Sequence, residues 1–339
     1  MSESTVRTGG LRSPTDAQSR PASLGGAVRD LLVDNVVWVL IVAVSIFAGL
    51  LNPFFLSEAN LQNILVQATT LGILVLAVSF TLLIGEIDLS VVGNLVFSGL
   101  IGVLMLKDLH VPAGVAILAT LIVGMLIGVL NGVFVALMRM NSLIASLAMG
   151  LFLQGAVLAA TQARTVVVSD PFYGYIGTAA IGTWPVMPVV LFLTYIVAAV
   201  VLNGTPWGRN LYATGGNRRA ARAAGINVPA TRMSAFIASG LLSGLAGYLY
   251  TSYLGGVNVT VGSTILLYAV AAPVIGGVSI FGGRGRVSGM LGGALLITVI
   301  QTGLQLINVS AYYVQMIGGG TILLAIALDA IRVRRDERG

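Results

Sequence analysis

The chain has 339 residues, of which 57% are hydrophobic and only 9% are charged. A soluble domain carries about 25% charged residues, so this composition excludes a soluble globular fold and predicts a protein whose surface meets lipid. The formal net charge of +6 comes from arginines in short segments between apolar runs, which disfavours a nucleic-acid partner. The chain has no cysteine and one histidine, His110, so we predict no metal site and no imidazole chemistry.

The predicted elements begin after a polar N-terminal segment. Residues 1–33 are rich in Gly, Ser and Pro, which predicts a disordered cytoplasmic tail, and no cleaved signal peptide precedes the apolar run near Val36. Apolar stretches long enough to cross a bilayer as a helix then recur to residue 331. We place ten of them, at about 34–51, 62–84, 92–106, 112–138, 143–160, 186–203, 233–251, 264–281, 287–307 and 311–331. The sequence therefore predicts an all-α polytopic membrane domain over 34–331 and a second cytoplasmic tail over 332–339.

The distribution of basic residues predicts the orientation of this domain. With ten helices and the N-terminus inside, all but two of the 18 basic residues fall on the cytoplasmic side. The exceptions are Lys107 and Arg164. Adding or removing one helix scrambles this division, so the arginines support both the count and cytoplasmic N and C termini.

Two connecting segments are long enough to have a role of their own. Residues 161–185 form an external segment that either docks an external partner or lies at the headgroup level, marked by Tyr173, Tyr175 and Trp184. Residues 203–232 form a cytoplasmic segment that contains the sequence NRRAARAAGI. Asn217 is a good N-cap and Gly225 a good residue just beyond a helix end, so we predict a short helix between them.

The sequence IGEIDLSVVGN at 84–94 places two carboxylates, Glu86 and Asp88, between hydrophobic helices. An ionised group at bilayer depth costs about 3 kcal/mol, so we predict a discontinuous helix near 85–92, at an interface or a wet cavity. Asp88 or Ser90 could also cap the helix that begins near Val91. The capping role and a position on a substrate route are compatible.

Three motifs in order, IDLSV after a glycine, GGNRRAARAAGINV and VIGGVSIFGGRGRVSGMLGGALL, resemble the permease subunits of bacterial ABC importers for monosaccharides of the ribose, xylose and galactose type. The resemblance runs from about residue 36 to the end. The chain departs from the family pattern at Glu86 and Val92, where glycine is usual. The resemblance implies a multi-pass protein of the bacterial inner membrane, with ABC ATPase subunits, an extracytoplasmic sugar-binding protein and a second permease copy or paralogue as partners.

The resemblance also implies that residues 216–228 are the coupling loop that fits a groove of the ATPase. The coupling residues it implies are Gly216, Asn217, Arg218, Ala220, Ala221, Arg222, Gly225, Ile226 and Asn227. The sequence agrees that ATP is hydrolysed elsewhere, because Lys107 is the only lysine and its surroundings, VLMLKDLH, do not form a phosphate-binding P-loop. We therefore expect no catalytic residues and no cofactor in this chain, with ATP and Mg²⁺ held by the partner ATPase.

Polar side chains within or between the predicted spans are candidates for the translocation pathway. They could face a cavity or form hydrogen bonds between helices. The candidates are Glu86, Asp88, Ser90, Asn94, Gln67, Gln154 and Gln301, with Thr69, Thr70, Asn131 and Gln305 as further polar positions. Alternative functions are an ABC permease for a nucleoside or another small polar solute, and an ion-coupled secondary transporter that would use the acids of the break.

Overall fold

The computed structural model describes residues 35–258, 263–310, 312–320 and 323. The two predicted tails, 1–33 and 332–339, lie outside the described residues, and so does most of the chain beyond residue 320.

The described part of the chain is mainly helical, with short strands in the connections around the helix Pro171–Thr178 and after the helix Val228–Leu254. In chain order the helices are α1 (Val36–Leu51), α2 (Glu58–Leu83), α3 (Val91–Lys107), α4 (Ala113–Gly132), α5 (Ser142–Thr161), α6 (Pro171–Thr178), α7 (Met187–Gly204), α8 (Pro206–Gly216), α9 (Arg218–Ala223), α10 (Val228–Leu254), α11 (Ser263–Ile275) and α12 (Val287–Leu306). A 3-10 turn covers Pro53–Leu56, a π-helical turn (Val133–Leu137) extends α4, and residues 312–320 are helical. The strands are β1 (Val166–Val167), β2 (Ala180–Ile181), β3 (Trp184–Pro185) and β4 (Gly256–Val257), paired antiparallel as β1 with β4 and β2 with β3.

Within the described part of the chain, six helices are long and apolar enough to cross a membrane. They are α2, α4 with its π-helical extension, α5, α7, α10 and α12. Three shorter apolar helices, α1, α3 and the segment Ile265–Ile275 of α11, coincide with three further predicted spans. The multi-pass, all-helical membrane fold is therefore confirmed, while the count of ten spans and the orientation of the termini stay predictions.

Helix α10 is the centre of the helix packing, because it contacts α2, α3 and α4 extensively. Small residues make this possible: Gly124 and Gly128 on α4 face Gly240 and Gly244 on α10, and a Cβ atom at any of these positions would press on the opposite backbone. The second half of helix α2, residues 71–83, is largely apolar on all sides and fully buried, as expected of a helix surrounded by others. In lipid the hydrophobic effect does not drive helices together, so close packing of the backbones at these glycines stabilises the contact between α4 and α10.

Two predictions of detail are wrong. The span predicted at 264–281 ends as a helix at Ile275, because Gly277 adopts φ +86° and the chain turns there. Tyr173 does not mark a membrane surface: it is 1% exposed, and its hydroxyl lies 2.7 Å from that of Thr251 on α10. Burial raises the pKa of Tyr173 to about 12, so the phenol stays neutral in this contact. Part of the predicted docking segment is thus fastened to the C-terminal end of α10.

Candidate functional site

The predicted break between two helices is present, at residues 84–90. Helix α2 ends where Gly85 adopts φ +69°, with the Gly85 N–H donating to the Leu82 carbonyl at 2.8 Å and the Glu86 N–H donating to the Thr81 carbonyl at 3.0 Å. This pair of bonds is a Schellman motif, which needs a residue that tolerates positive φ. The glycine before IDLSV therefore ends α2, and the chain becomes helical again at Val91.

The predicted cap of α3 is not formed by a side chain. Ser90 is the N-cap residue, yet its side chain bonds no N–H of the helix, and Asp88 bonds Ser90 instead. Its Oδ1 accepts the Ser90 N–H at 2.9 Å and the Ser90 hydroxyl at 2.6 Å. Asp88 thus shapes the turn that leads into α3, because its side chain satisfies the backbone two residues ahead.

The second carboxylate oxygen of Asp88 connects the break to neighbouring helices. Asp88 Oδ2 accepts the hydroxyl of Ser239 on α10 at 2.8 Å, and the amide of Asn131 on α4 donates to the Ser90 hydroxyl at 2.7 Å. The Asn94 amide donates to the Gly124 carbonyl at 3.0 Å. Asp88, Ser90 and Asn94 are each 1% exposed, so this is a buried polar network that joins α3, α4 and α10.

The predicted short helix is present as α9. The Asn217 side chain accepts the N–H groups of Arg219 and Ala220 at 2.9 and 3.0 Å, which confirms the N-cap. At the other end Gly225 has φ +82°, its N–H donates to the Arg222 carbonyl, and the Ile226 N–H donates to the Ala221 carbonyl. A helix this short owes much of its definition to these two caps.

Glu86 joins this short helix to the break. One oxygen of its carboxylate lies 2.7 Å from Arg218 on α9 and 2.5 Å from Arg232 on α10. The same Arg218 nitrogen also donates to the carbonyls of Ile84 and Gly85, at 3.3 and 3.2 Å. The Glu86 side chain is 8% exposed, that of Arg232 13% and that of Arg218 43%, so the pair with Arg232 is the buried one.

Around this ion pair, glycine backbones from three segments meet directly. A Cβ atom at Gly215, near the end of α8, would overlap the carbonyl oxygen of Leu83. The N–H of Gly283 donates to that same carbonyl at 2.9 Å, and Gly282 lies against Gly85. Gly282 and Gly283 have φ +93° and +73°, which only glycine adopts without strain. We call the contact of residues 83–85, 215–216 and 282–283 the glycine junction.

Helix α8 is fastened to the membrane domain on the same side as the glycine junction. The ring nitrogen of Trp207 donates to the Ser234 hydroxyl on α10 at 2.7 Å, and the ring packs in a tilted contact against Phe80 on α2, with the ring centroids 5.4 Å apart. The Tyr212 hydroxyl donates to the Gly285 carbonyl at 3.0 Å, and burial raises the pKa of Tyr212, so it remains a donor at neutral pH. The segment predicted to dock a partner therefore rests on a rigid support.

A second region, which we call the glutamine cavity, lies between α2, α10, α11, α12 and the helical residues 312–320. Its volume is about 640 Å³, within the range of small-molecule sites. Two of the predicted pathway residues, Gln67 and Gln301, line it together. The polar and aromatic lining residues are Gln67, Thr70, Tyr250, Tyr253, Tyr268, Thr298, Gln301, Gln305 and Gln315.

The remaining pathway candidates lie elsewhere. Gln154 is exposed on α5, and the network of Asp88, Ser90 and Asn94 lines neither the glutamine cavity nor the pocket beside Glu86. Sequence reasoning missed Arg232, which was assigned to topology alone, and it missed the glycine junction. The sequence did contain a signal for Arg232. Glu86 is an acidic residue in the predicted break, and the segments predicted on the same, inner side of the membrane carry arginines that could pair with it.

The family model described as the permease component of the branched-chain amino acid transport system matches residues 60–326. Similar proteins include the ribose import permease protein RbsC of Haemophilus influenzae, 35% identical over 88% of this chain and 93% of that protein. The L-arabinose ABC transporter permease protein AraH of Azospirillum brasilense is 33% identical over 95% and 94%, and the D-allose transport system permease protein AlsC of Escherichia coli is 33% identical over 87% and 90%. No solved structure matches the chain. The matched range includes the break, α9 and the glutamine cavity.

Proposed function

The chain belongs to this family of transport permease components, and on that premise we propose that it forms the membrane pathway of an ATP-driven importer for a monosaccharide. The resemblance predicted from the three motifs is confirmed by this membership. In the proposed assembly the chain pairs with a second permease copy or a paralogue in the bacterial inner membrane. ABC ATPase subunits bind ATP and Mg²⁺ on the cytoplasmic side, and an extracytoplasmic binding protein delivers the sugar.

The glutamine cavity is the observation that carries the choice of substrate class. Amide groups of Gln67, Gln301 and Gln305 donate and accept hydrogen bonds, and tyrosine rings offer flat apolar faces. None of the described residues that line the cavity is Asp, Glu, Lys or Arg, which suits a neutral polyhydroxylated solute better than an ion or an amino acid. The names of the similar permeases, for ribose, L-arabinose and D-allose, favour the same class.

The predicted orientation gives the two ends of the molecule different tasks. The glutamine cavity lies at the outer ends of α10 and α12, where a binding protein would release its sugar. Helix α9 lies at the inner side, where an ATPase would dock. We propose alternating access, in which closure of the ATPase domains displaces α9, and the glycine junction carries this displacement to the break.

Uptake of radiolabelled sugar into proteoliposomes tests this function. The transporter is reconstituted with its ATPase and binding protein, and uptake is measured with ATP, without ATP and with an imposed ion gradient. We expect uptake to need ATP and the binding protein. Uptake driven by an ion gradient alone would establish the secondary-transporter alternative, and competition by nucleosides but not by sugars would establish the nucleoside alternative.

Cavity variants test whether the glutamine cavity lies on the route. Replacing Gln67 and Gln301 together by Leu removes two hydrogen-bonding groups, each contributing about 1 kcal/mol, so we expect at least a tenfold loss of uptake per transporter. Gln154→Leu, in an exposed position on α5, is the matched control and should leave uptake within about twofold of wild type. Equal uptake by all three proteins would exclude the glutamine cavity from the route.

A further inference from the structure

A separate pocket beside the glycine junction has a strong positive charge, and we call it the arginine cavity. Its volume is about 690 Å³. Its walls are the break, the connection from α4 to α5, helix α9 and the start of α10. The polar lining residues are Glu86, Arg139, Asn141, Ser142, Arg218, Arg222 and Arg232.

The charges in this cavity are unbalanced. Four arginines line it with a single carboxylate, Glu86, and that carboxylate is already bonded to Arg218 and Arg232. In the part of the chain that the structure describes, Arg139 and Arg222 have no carboxylate within ion-pair distance. The Nε atom of Arg232 is buried without a hydrogen-bond acceptor. Guanidinium groups that line one cavity without a carboxylate partner favour an anionic ligand with several oxygen atoms.

Helix ends add to this charge. Helix α5 begins at Ser142 and helix α10 at Val228, and the first residues of both line the cavity. The N-terminus of a helix carries a partial positive charge, which favours an anion nearby. Because Asn141 and Asn227 already accept N–H groups of these first turns, the two helices add the field of their dipoles to the charge of the four arginines.

The edge of the cavity near α5 is apolar and exposed. Met140 and Leu143 line the cavity with exposed fractions of 43% and 44%, and beside them Met138 and Ile144 are 61% and 64% exposed. In a multi-pass membrane protein such residues meet acyl chains at the end of a span. The site thus has a charged interior and a lipid-facing entrance, which a free phosphate ion or an acidic protein side chain would leave unused.

We infer that the arginine cavity binds the phosphate group of an anionic phospholipid from the adjacent leaflet. Arg139 and Arg222 hold the phosphate, and the acyl chains lie along Met140 and Leu143. A lipid bound there bridges the α4–α5 connection, which carries Arg139, and α9, which carries Arg222. Without the phosphate, the like charges of these two parts of the wall repel each other. This inference needs only that the chain spans a membrane, so it stands independently of the proposed transport function.

Native mass spectrometry of the full-length protein in detergent tests this site. The protein is equilibrated with phosphatidylglycerol or phosphatidylcholine of the same chain length, and retained lipid is counted. Each basic residue near an anionic surface contributes about fivefold to binding, so Arg139→Gln with Arg222→Gln should weaken phosphatidylglycerol retention about 25-fold. Arg219→Gln is the matched control, because Arg219 is exposed on the same helix but does not line the cavity. Both proteins are first compared with wild type by circular dichroism and size-exclusion chromatography.

The double variant Arg139→Lys with Arg222→Lys keeps both charges and should retain most of the lipid preference, which separates loss of charge from loss of fold. Equal retention of the two lipids by wild type would overturn the inference, as would equal loss in the Arg219→Gln control. If inorganic phosphate displaces phosphatidylglycerol as well as added phosphatidylglycerol does, the ligand is a free phosphate and the lipid assignment is wrong. If Arg139→Gln with Arg222→Gln abolishes ATPase association while lipid retention is unchanged, the cavity holds an acidic group of that partner instead.

Discussion

Replacing Glu86 by Gln removes the one carboxylate that two arginines share at the end of α2. The side chains of Glu86 and Arg232 are only 8% and 13% exposed, so the change leaves a guanidinium buried with an unbalanced charge. Removing one partner of a buried ion pair costs about 3–5 kcal/mol, whereas an exposed pair contributes about 0.2–1 kcal/mol. Arg218 belongs nearer the second class because its side chain is 43% exposed. We therefore expect Glu86→Gln to lower the free energy of unfolding by about 3 kcal/mol.

Unfolding in mixed detergent micelles measures this change, and double-mutant cycles divide it between the two arginines. The cycle of Glu86→Gln with Arg232→Gln should give a coupling energy of about 2 kcal/mol, and the cycle with Arg218→Gln about 0.5 kcal/mol. The two arginine variants should affect transport in the opposite order from their effects on stability. Arg218 is the contact between α9 and Glu86, so Arg218→Gln should reduce ATP-driven uptake more than its small effect on stability explains.

The reasoning about Glu86 would be refuted by either of two results. One is a Glu86→Gln protein that unfolds like wild type, since burial of Arg232 would then carry no penalty. The other is a larger coupling energy for Arg218 than for Arg232, since burial would then not determine the strength of the two pairs. Arg219→Gln on the same helix serves as the control for a general loss of positive charge.

Three further predictions concern single positions. Gly225→Ala places a side chain at φ +82° in open space, so it should destabilise the end of α9 by about 1–2 kcal/mol and weaken ATPase association in a pull-down assay about tenfold. The control Gly182→Ala, at φ +64° and equally open, imposes the same strain in the β2–β3 turn and should leave this association unchanged. Asp88→Asn keeps an acceptor for the Ser239 hydroxyl and should be expressed and transport better than Asp88→Leu, which leaves buried donors unpaired at about 1–3 kcal/mol each; equal transport at equal expression contradicts this. Gly215→Ala should lower the unfolding temperature more than Gly225→Ala, because its Cβ would overlap backbone rather than open space, and an equal or smaller shift would contradict the glycine junction.

Much of the fold could be predicted because lipid imposes a simple rule. A span must be apolar over its whole length and must satisfy its own backbone, so α2, α4 and α12 were visible as apolar runs. The caps of α9 were also visible, because Asn217 and Gly225 act on neighbours in sequence. The end of α11 was missed, since an apolar run continues through Gly277 and composition alone does not show that the backbone turns there.

The candidate site was harder to predict because its contacts are distant in sequence. Glu86 meets Arg218 and Arg232, and neither partner can be identified from composition or spacing. Gln67 and Gln301 were predicted as pathway residues one by one, but nothing in the sequence separates them from Gln154, which the structure places on an exposed face. Amide side chains within spans look alike until the helices are packed.

The glycine junction explains why the break and the end of α8 should behave as one mechanical unit. Where side chains separate two elements, a displacement of one is absorbed by rotamer changes before it reaches the other. At Leu83, Gly215 and Gly283 the backbones meet without side chains, so no such compliant layer exists. A force that a partner applies to α9 would reach this junction through Asn217, which joins α9 to the end of α8, and would reach Glu86 through the side chain of Arg218. Beyond the break, hydrogen bonds of Asp88 and Ser90 continue the connection to α10 and α4, the helices at the centre of the membrane domain. A displacement of the break is therefore passed to these helices through polar and backbone contacts rather than through deformable side-chain packing.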